Sequence, residues 1–376
     1  MSHKPSIYDE LGVIPVINAR GHQTLLGGST PSPHVKAAME QAERYFVDMP
    51  RLLDRAGEII ASLLGAEAAY VTSGAAAAMA LGTAACVTGS DLDAIGRLPD
   101  TAGMRSTVLI QKAHHYKYEH ATTIVGTTLV DVGDDAGTTP EQLDAALGPD
   151  TAVVLYPAHL EGKAGTLSLA QVLAIAHGKS VPVLVDAAGQ VYPLDRFTSY
   201  PKMGIDLVCF GAKYIGAPQS SGILCGKRSL VAAAAMQGFI GFEMMAGNRA
   251  FGRPMKLDRQ EIVGVVAALQ DWMATDHELR LAGHVSALQA IGRNLEGLPG
   301  VRLDIVHGIG AAPRVLRIGV DASTARRSAD DVVARLRQGN PAVYVGADVD
   351  AVVINPALVR DDDVHIVADR LRELLA

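Results

Sequence analysis

Along the first two-thirds of the chain, short unbroken apolar runs recur between segments with helical spacing. The runs fall at 69–72, 107–111, 127–132, 152–156, 181–186, 206–210 and 221–225. Most do not alternate apolar with polar residues. Strands buried on both faces have that pattern, and a parallel sheet covered by helices requires such strands. End signals mark the helices between them. Thr139-Pro140-Glu141-Gln142 has the spacing of a capping box with proline at the first helical position, and Gly148-Pro149 stops that helix. Ser168-Leu169-Ala170-Gln171 repeats the spacing, and Gly178 closes the helix it opens. This alternation predicts an α/β domain with a mainly parallel sheet.

The pattern changes near residue 255. A helical run covers 257–295, ended by Gly297 and Pro299. Strand-like pieces follow at 301–306, 314–320, 342–345 and 351–354, with helices at 328–337 and 362–375. Three segments are therefore expected: an N-terminal arm and helix at 1–50, a large domain at 51–255 and a smaller α+β domain at 256–376. The arm is turn-rich around Ile17-Asn18-Ala19-Arg20-Gly21-His22 and Gly27-Gly28-Ser29-Thr30, with a helix at 34–46. Gly308-Ile309-Gly310 has the look of a dinucleotide-binding turn, but Pro313 follows and no helix opens, so it is set aside.

Composition narrows the class. The chain has 376 residues, enough for a deep core and an enclosed site. Aromatic residues make up 5%, so the core is mainly Ala, Val, Leu and Ile. A net charge of −7 argues against a broad nucleic-acid surface, which needs a basic stripe. The three cysteines, Cys86, Cys209 and Cys225, match no zinc spacing. Their odd number, with an N-terminus that lacks an apolar signal core, points to a reducing cytoplasm. The longest apolar stretch, 230–240, is broken by Gln237 and Gly238, so no membrane span is expected.

Four places carry chemistry. In Phe210-Gly211-Ala212-Lys213-Tyr214-Ile215-Gly216 a lysine follows an apolar strand. Partial burial lowers a lysine's proton affinity and makes its amine a nucleophile; a strand-end lysine reaching out to water is the ordinary alternative. In Val183-Leu184-Val185-Asp186-Ala187-Ala188-Gly189-Gln190 an aspartate ends a strand 27 residues before Lys213. A pyridoxal phosphate ring needs a carboxylate at its pyridine nitrogen to act as an electron sink, and the carboxyl edge of an α/β sheet is where ligands bind. Gln190 is a candidate partner of the ring hydroxyl or a plain loop residue. Tyr70-Val71-Thr72-Ser73-Gly74-Ala75-Ala76-Ala77 turns from strand to helix with free N–H groups suited to a phosphate; alone this is a weak signal. Gln111-Lys112-Ala113-His114-His115-Tyr116-Lys117-Tyr118-Glu119-His120 offers an imidazole to stack on the cofactor. A zinc site and a surface histidine cluster are the rivals, and no His-Glu-x-x-His helix supports the zinc site. The order phosphate turn, histidine, aspartate, lysine, each at a strand end, resembles fold-type-I pyridoxal-phosphate enzymes of the aspartate-aminotransferase-like fold.

More particularly, Ile17-Asn18-Ala19-Arg20-Gly21, Thr72-Ser73-Gly74-Ala75-Ala76, Gly216-Ala217-Pro218-Gln219-Ser220-Ser221-Gly222 and Gly252-Arg253-Pro254-Met255-Lys256 resemble the selenocysteine-synthase-like family. That group includes bacterial L-seryl-tRNA(Sec) selenium transferase and a D-glucosaminate-6-phosphate ammonia-lyase branch. The resemblance implies Lys213 as the Schiff-base lysine, Asp186 as the pyridinium partner, and Ser73, Gly74 and Ala75 at the phosphate. It implies that Ser220 or Ser221 reaches a neighbouring subunit's phosphate, in a homodimer or larger ring. His114 or His115 is the stacking residue, with His115 the catalytic candidate, and Arg20, Arg253 and Lys256 are candidates to hold a substrate carboxylate or phosphate. Ion pairing at the domain junction is the competing reading for Arg253 and Lys256.

The chain departs from the tRNA-dependent enzyme in starting close to the first core motif and in its acidity; both features favour a small-molecule substrate. The expected reaction is α,β-elimination from a β-hydroxy amino acid or amino-sugar acid, giving a 2-oxo acid and ammonia. Transamination, racemisation and aldol cleavage start from the same complex. A non-catalytic pyridoxal-phosphate-binding paralogue and selenium transfer onto seryl-tRNA are the remaining alternatives.

Overall fold

The structure is a computed structural model that describes residues 7–244, 247, 249–308 and 312–376. The start of the N-terminal arm, and Ile309 and Gly310 of the discarded glycine turn, lie outside the described residues. The chain divides into two compact units. One is Ser29–Ala274; the other joins the stretch ending at Gly28 to Thr275–Ala376.

Strand β1 (Ile17–Ala19) belongs to the second unit. The next seven build the sheet of the first: β2 (Ala68–Thr72), β3 (Thr107–Gln111), β4 (Thr128–Val132), β5 (Thr151–Pro157), β6 (Val183–Asp186), β7 (Leu207–Gly211) and β8 (Gly222–Gly226). The last four, β9 (Val301–His307), β10 (Arg314–Val320), β11 (Val343–Asp348) and β12 (Ala351–Ile354), return to the second unit.

In the larger unit the order is β2-β8-β7-β6-β5-β3-β4. All neighbours are parallel except β8, which runs against β2 and β7. Every residue of β5, β6, β7 and β8 is buried, as the unbroken apolar runs require. The edge strand β4 is mostly exposed. The helix Ala75–Thr88 is apolar on all sides and buried along most of its length. A Cβ built on its Gly82 would lie 3.2 Å from Leu207 and 3.4 Å from Leu184, so the missing side chain lets this helix pack closely on the sheet. Both predicted capping boxes form, at Thr139 with Gln142 and at Ser168 with Gln171.

Three expectations change. The run 257–295 is two helices, Arg259–Ala274 and His277–Leu295, because Asp276 leaves helical backbone (ψ 94°) and its side chain caps Leu279 N. The first of these packs on the helices Pro33–Glu43 and Met49–Leu64. It therefore belongs with the larger unit, and the boundary falls after Ala274 rather than at 255. The arm is also divided. In the smaller unit β1 pairs in parallel with β11 in a sheet ordered β1-β11-β12-β10-β9. Ile17 and Ala19 are buried there with Val343, Val345 and Ile354. No helix among the described residues is long and apolar enough to cross a membrane.

Candidate active site

The carboxyl ends of β2, β3, β5, β6 and β7 lie along one edge of the larger sheet. The start of β8 lies there too, where Gly222 pairs with Thr72 and Gly211. Ligands bind at this edge of a parallel sheet, where loops and helix N-termini converge.

After β2 the chain turns through Ser73 and Gly74 into the helix Ala75–Thr88. Gly74 sits at φ 93°, ψ 166°, a conformation that glycine adopts without strain. The Thr72 hydroxyl donates to Gly74 O at 3.0 Å and holds the turn. Gly222 packs directly behind it. A Cβ there would lie 2.5 Å from Gly74 C and 2.8 Å from Ala75 N, so no other residue fits without moving the turn. The first N–H groups of this 14-residue helix are left for an anion. Ser220 and Ser221 sit just before β8. The Ser221 hydroxyl is buried and donates to Pro218 O at 2.6 Å, and the exposed Ser220 hydroxyl pairs with Glu261.

Asp186 ends β6 and is buried. Its Oδ1 accepts from Ala188 N at 3.0 Å, with the Cys209 thiol 3.8 Å away, and its Oδ2 accepts from the Tyr116 hydroxyl at 2.6 Å. No cation pairs with it among the described residues. Gln190 is buried in the turn that follows, and Arg196 Nη1 stands 3.5 Å from its Oε1.

Lys213 lies in the single turn after β7 and is half-buried, with its Nζ 5.2 Å from the centre of the Tyr214 ring. Burial, and then the nearby charge of Lys117, lower its proton affinity. The Tyr214 ring lies over the backbone at the ends of β6 and β7: a Cβ on Gly211 would come within 3.2 Å of it and one on Gly189 within 3.6 Å. Lys117 itself sits over Tyr118, 4.7 Å from the ring centre.

The two histidines face different ways. His114 is fully buried, edge-on to Tyr156 at 5.1 Å, with its Nδ1 3.3 Å from the Gln111 amide. Burial, then the charges of Lys163 and His159, push its pKa down to about 4, so it is neutral near pH 7. His115 faces outward, with Nδ1 2.9 Å from Glu119 and Nε2 2.6 Å from Asp131. Neither is paired with Asp186. Tyr116, the next residue, takes that place, because Glu119 anchors both the His115 ring and the Tyr116 backbone N–H (3.0 Å) and so turns the tyrosine inward. His159, just past β5, packs on Tyr116 with ring centres 5.2 Å apart. Reading the residues missed Tyr116 and His159. The available signals were their places directly after β3 and β5.

Arg253 pairs with Glu243 at 2.9 Å and lies 5.9 Å from the Phe242 ring. With Lys256 and Arg259 it lines a cavity of about 270 Å³. Arg20 follows β1 in the other unit, where its backbone N–H donates to Asn18 Oδ1 at 2.9 Å.

These residues fit a pyridoxal phosphate. A glycine-walled helix N-terminus suits the phosphate. A buried carboxylate with no cation among the described residues, and with acceptor capacity to spare, suits the pyridine nitrogen. An amine of lowered proton affinity suits the aldehyde.

The comparisons agree with that fit. The profile of the class-V aminotransferases matches residues 51–249. The chain is 30% identical over 380 residues to D-glucosaminate-6-phosphate ammonia lyase of Salmonella typhimurium, covering 98% of each chain. It is 32% identical over 382 residues to 5'-C-glycyluridine monooxygenase-decarboxylase of a Streptomyces species, covering 98% of this chain and 92% of that one. A solved D-glucosaminate-6-phosphate ammonia-lyase superposes with a TM-score of 0.85 at 30% identity over 99% of each chain.

Proposed function

From the premise that the chain belongs to the class-V aminotransferase family, we propose that it is a pyridoxal-phosphate-dependent lyase acting on a small amino-sugar acid or β-hydroxy amino acid. The observation that carries this reading is the convergence of Lys213, Asp186 and the Gly74–Ala75 turn on one sheet edge, in a chain that matches an ammonia lyase over its whole length.

The residues divide the work. The turn at Ser73, Gly74 and Ala75 binds the cofactor phosphate through backbone N–H groups and the helix dipole. Asp186 holds a proton on the pyridine nitrogen. Lys213 would hold the cofactor's aldehyde and would move the substrate's α-proton at its Nζ; its lowered proton affinity suits that role. Bound there, the cofactor supplies a sink for the electron pair left by the broken C–H bond. The β-hydroxyl departs as water, and hydrolysis of the released enamine returns that water and frees ammonia. Arg253, Lys256 and Lys117 are the cations available for the substrate's carboxylate or a distal phosphate. The active form is a homodimer or larger ring, in which Ser220 and Ser221 border a neighbour's phosphate, and its location is the cytoplasm.

The 32% identity to a monooxygenase-decarboxylase favours a second reading with the same cofactor: oxygen-dependent decarboxylation of a nucleoside-linked amino acid. One experiment separates the two. The purified protein is examined for a visible band that Lys213→Ala abolishes. Amino-sugar acids, their 6-phosphates and glycyl nucleosides are then added, with ammonia, 2-oxo acid, carbon dioxide and dissolved oxygen followed together. Ammonia and 2-oxo acid without oxygen uptake establish the lyase. Oxygen uptake with carbon dioxide release establishes the alternative. A colourless protein that takes up no pyridoxal phosphate overturns both.

A further inference from the structure

Asp186 would face the pyridine nitrogen of the cofactor assigned to this site, but a carboxylate on a single Cβ–Cγ bond does not by itself hold one orientation. Its Oδ1 is tied to Ala188 N, within the same turn. Its Oδ2 is tied across the sheet edge to the Tyr116 hydroxyl at 2.6 Å, 70 positions away in sequence and on the loop after β3. With the weak Cys209 thiol contact to Oδ1 at 3.8 Å, these bonds use three of about four acceptor positions, which leaves room for one further donor.

Tyr116 is itself well held. Its N–H donates to Glu119, its ring packs on His159 at 5.2 Å and on Tyr118 at 6.2 Å, and its hydroxyl also lies 3.3 Å from Met79 Sδ on the buried helix. Burial, followed by the charge of Asp186, pushes the hydroxyl far above its ordinary pKa, so it stays a donor throughout the working range. A thioether is a weak acceptor, which leaves Asp186 as the hydroxyl's strong partner.

We infer that Tyr116 is a positioning residue: its hydroxyl, braced by His159, fixes the Asp186 carboxylate in the orientation that receives the cofactor's pyridine nitrogen. The inference rests on the cofactor reading above. It adds a residue that neither touches the aldehyde nor moves a substrate proton. Partners that orient a liganding group typically change its ligand affinity by about 10- to 100-fold.

The test is a double-mutant cycle on Tyr116→Phe and Asp186→Asn, read in two ways. In the cofactor-free chain, denaturant melts measure the coupling between the two side chains. In the reconstituted enzyme, titration with pyridoxal phosphate measures affinity from the visible band. The expected result is coupling in the melts, together with an affinity loss of about 10-fold for Tyr116→Phe that shrinks below about twofold in the Asp186→Asn background. Met79→Leu removes the hydroxyl's other contact and is expected to leave affinity unchanged. Tyr116→Phe within twofold of wild type overturns the inference. So does an equal loss in both backgrounds, or a loss matched by Met79→Leu, because each marks general packing. A wild-type chain that binds no pyridoxal phosphate, yet shows coupling in its melts, overturns the cofactor reading instead and is told apart by the second arm.

Discussion

Two buried aspartates stand at opposite edges of the large sheet. Asp206, just before β7, is paired with a lysine, an imidazole and a backbone donor. Lys227 Nζ lies 2.6 Å from Oδ1, His177 Nε2 lies 2.8 Å from Oδ2, and Val183 N donates to Oδ2 at 2.7 Å. Asp186, at the end of β6, is equally buried but among the described residues receives neutral donors alone, from Ala188, Tyr116 and, more distantly, Cys209. Burial alone therefore does not mark a functional carboxylate. What separates the two is whether the protein already supplies the positive charge. Asp206 has Lys227 and ties strands, a helix end and β8 together. Asp186 has no cation among the described residues, which fits a carboxylate kept for a bound group.

The sharpest way to break this comparison is to remove each carboxylate in turn. Asp186→Ala is expected to lower kcat by on the order of 10²–10³ and to lower the melting temperature by less than Asp206→Ala does, because it deletes an electrostatic group that acts in the reaction and leaves only neutral donors behind. Steady-state kinetics beside a thermal melt checks both halves. Asp206→Ala is expected to do the reverse. It strands Val183 N, the Lys227 ammonium and the His177 imidazole, costs about 2–3 kcal/mol of stability and leaves kcat within a few-fold at temperatures where the chain is folded. Denaturant unfolding with activity at 20–25 °C is the measurement. If Asp206→Ala proves as inactive as Asp186→Ala while still folded, the division of roles is wrong.

Smaller changes sharpen it. Gly222→Ala forces a methyl group against Gly74 and Ala75. It is expected to cost about 1–3 kcal/mol and to weaken pyridoxal-phosphate binding, whereas alanine at Gly178, where a Cβ meets nothing within 4 Å, is expected to leave binding unchanged. Equilibrium titration of both variants decides this. The least effect is the pH response of His114. Its folded pKa of about 4 lies below the ordinary 6.5. Between those values the unfolded chain binds a proton that the folded chain refuses. Stability is therefore lost as pH falls from about 6.5 to 4, and the loss levels off below 4. His114→Phe removes this component, so its stability between pH 7 and pH 4 is expected to fall less than wild type's by on the order of 1–3 kcal/mol. Urea midpoints across that range, compared between the two proteins, provide the check.

Much of this was determined by local sequence. Unbroken apolar runs specified buried parallel strands, because a strand covered on both faces has no polar side to display. Thr139 with Gln142 and Ser168 with Gln171 specified helix starts, because a capping box closes within four residues. Lys213, Asp186 and the Gly74 turn were legible because each stands directly after a strand and the carboxyl ends of parallel strands share one edge. What depends on distant partners was not legible. Whether β1 stands alone or joins the sheet of the C-terminal strands was decided by its pairing with β11. Whether the helix Arg259–Ala274 belongs to the larger or the smaller unit was decided by the helices it packs on. Which of three consecutive residues, His114, His115 or Tyr116, meets Asp186 was decided by Glu119, Asp131 and Tyr156, which hold the two imidazoles elsewhere. Hydrophobic period and end chemistry are properties of a dozen neighbouring residues, whereas the direction a loop side chain faces is set by partners that only the folded chain brings together.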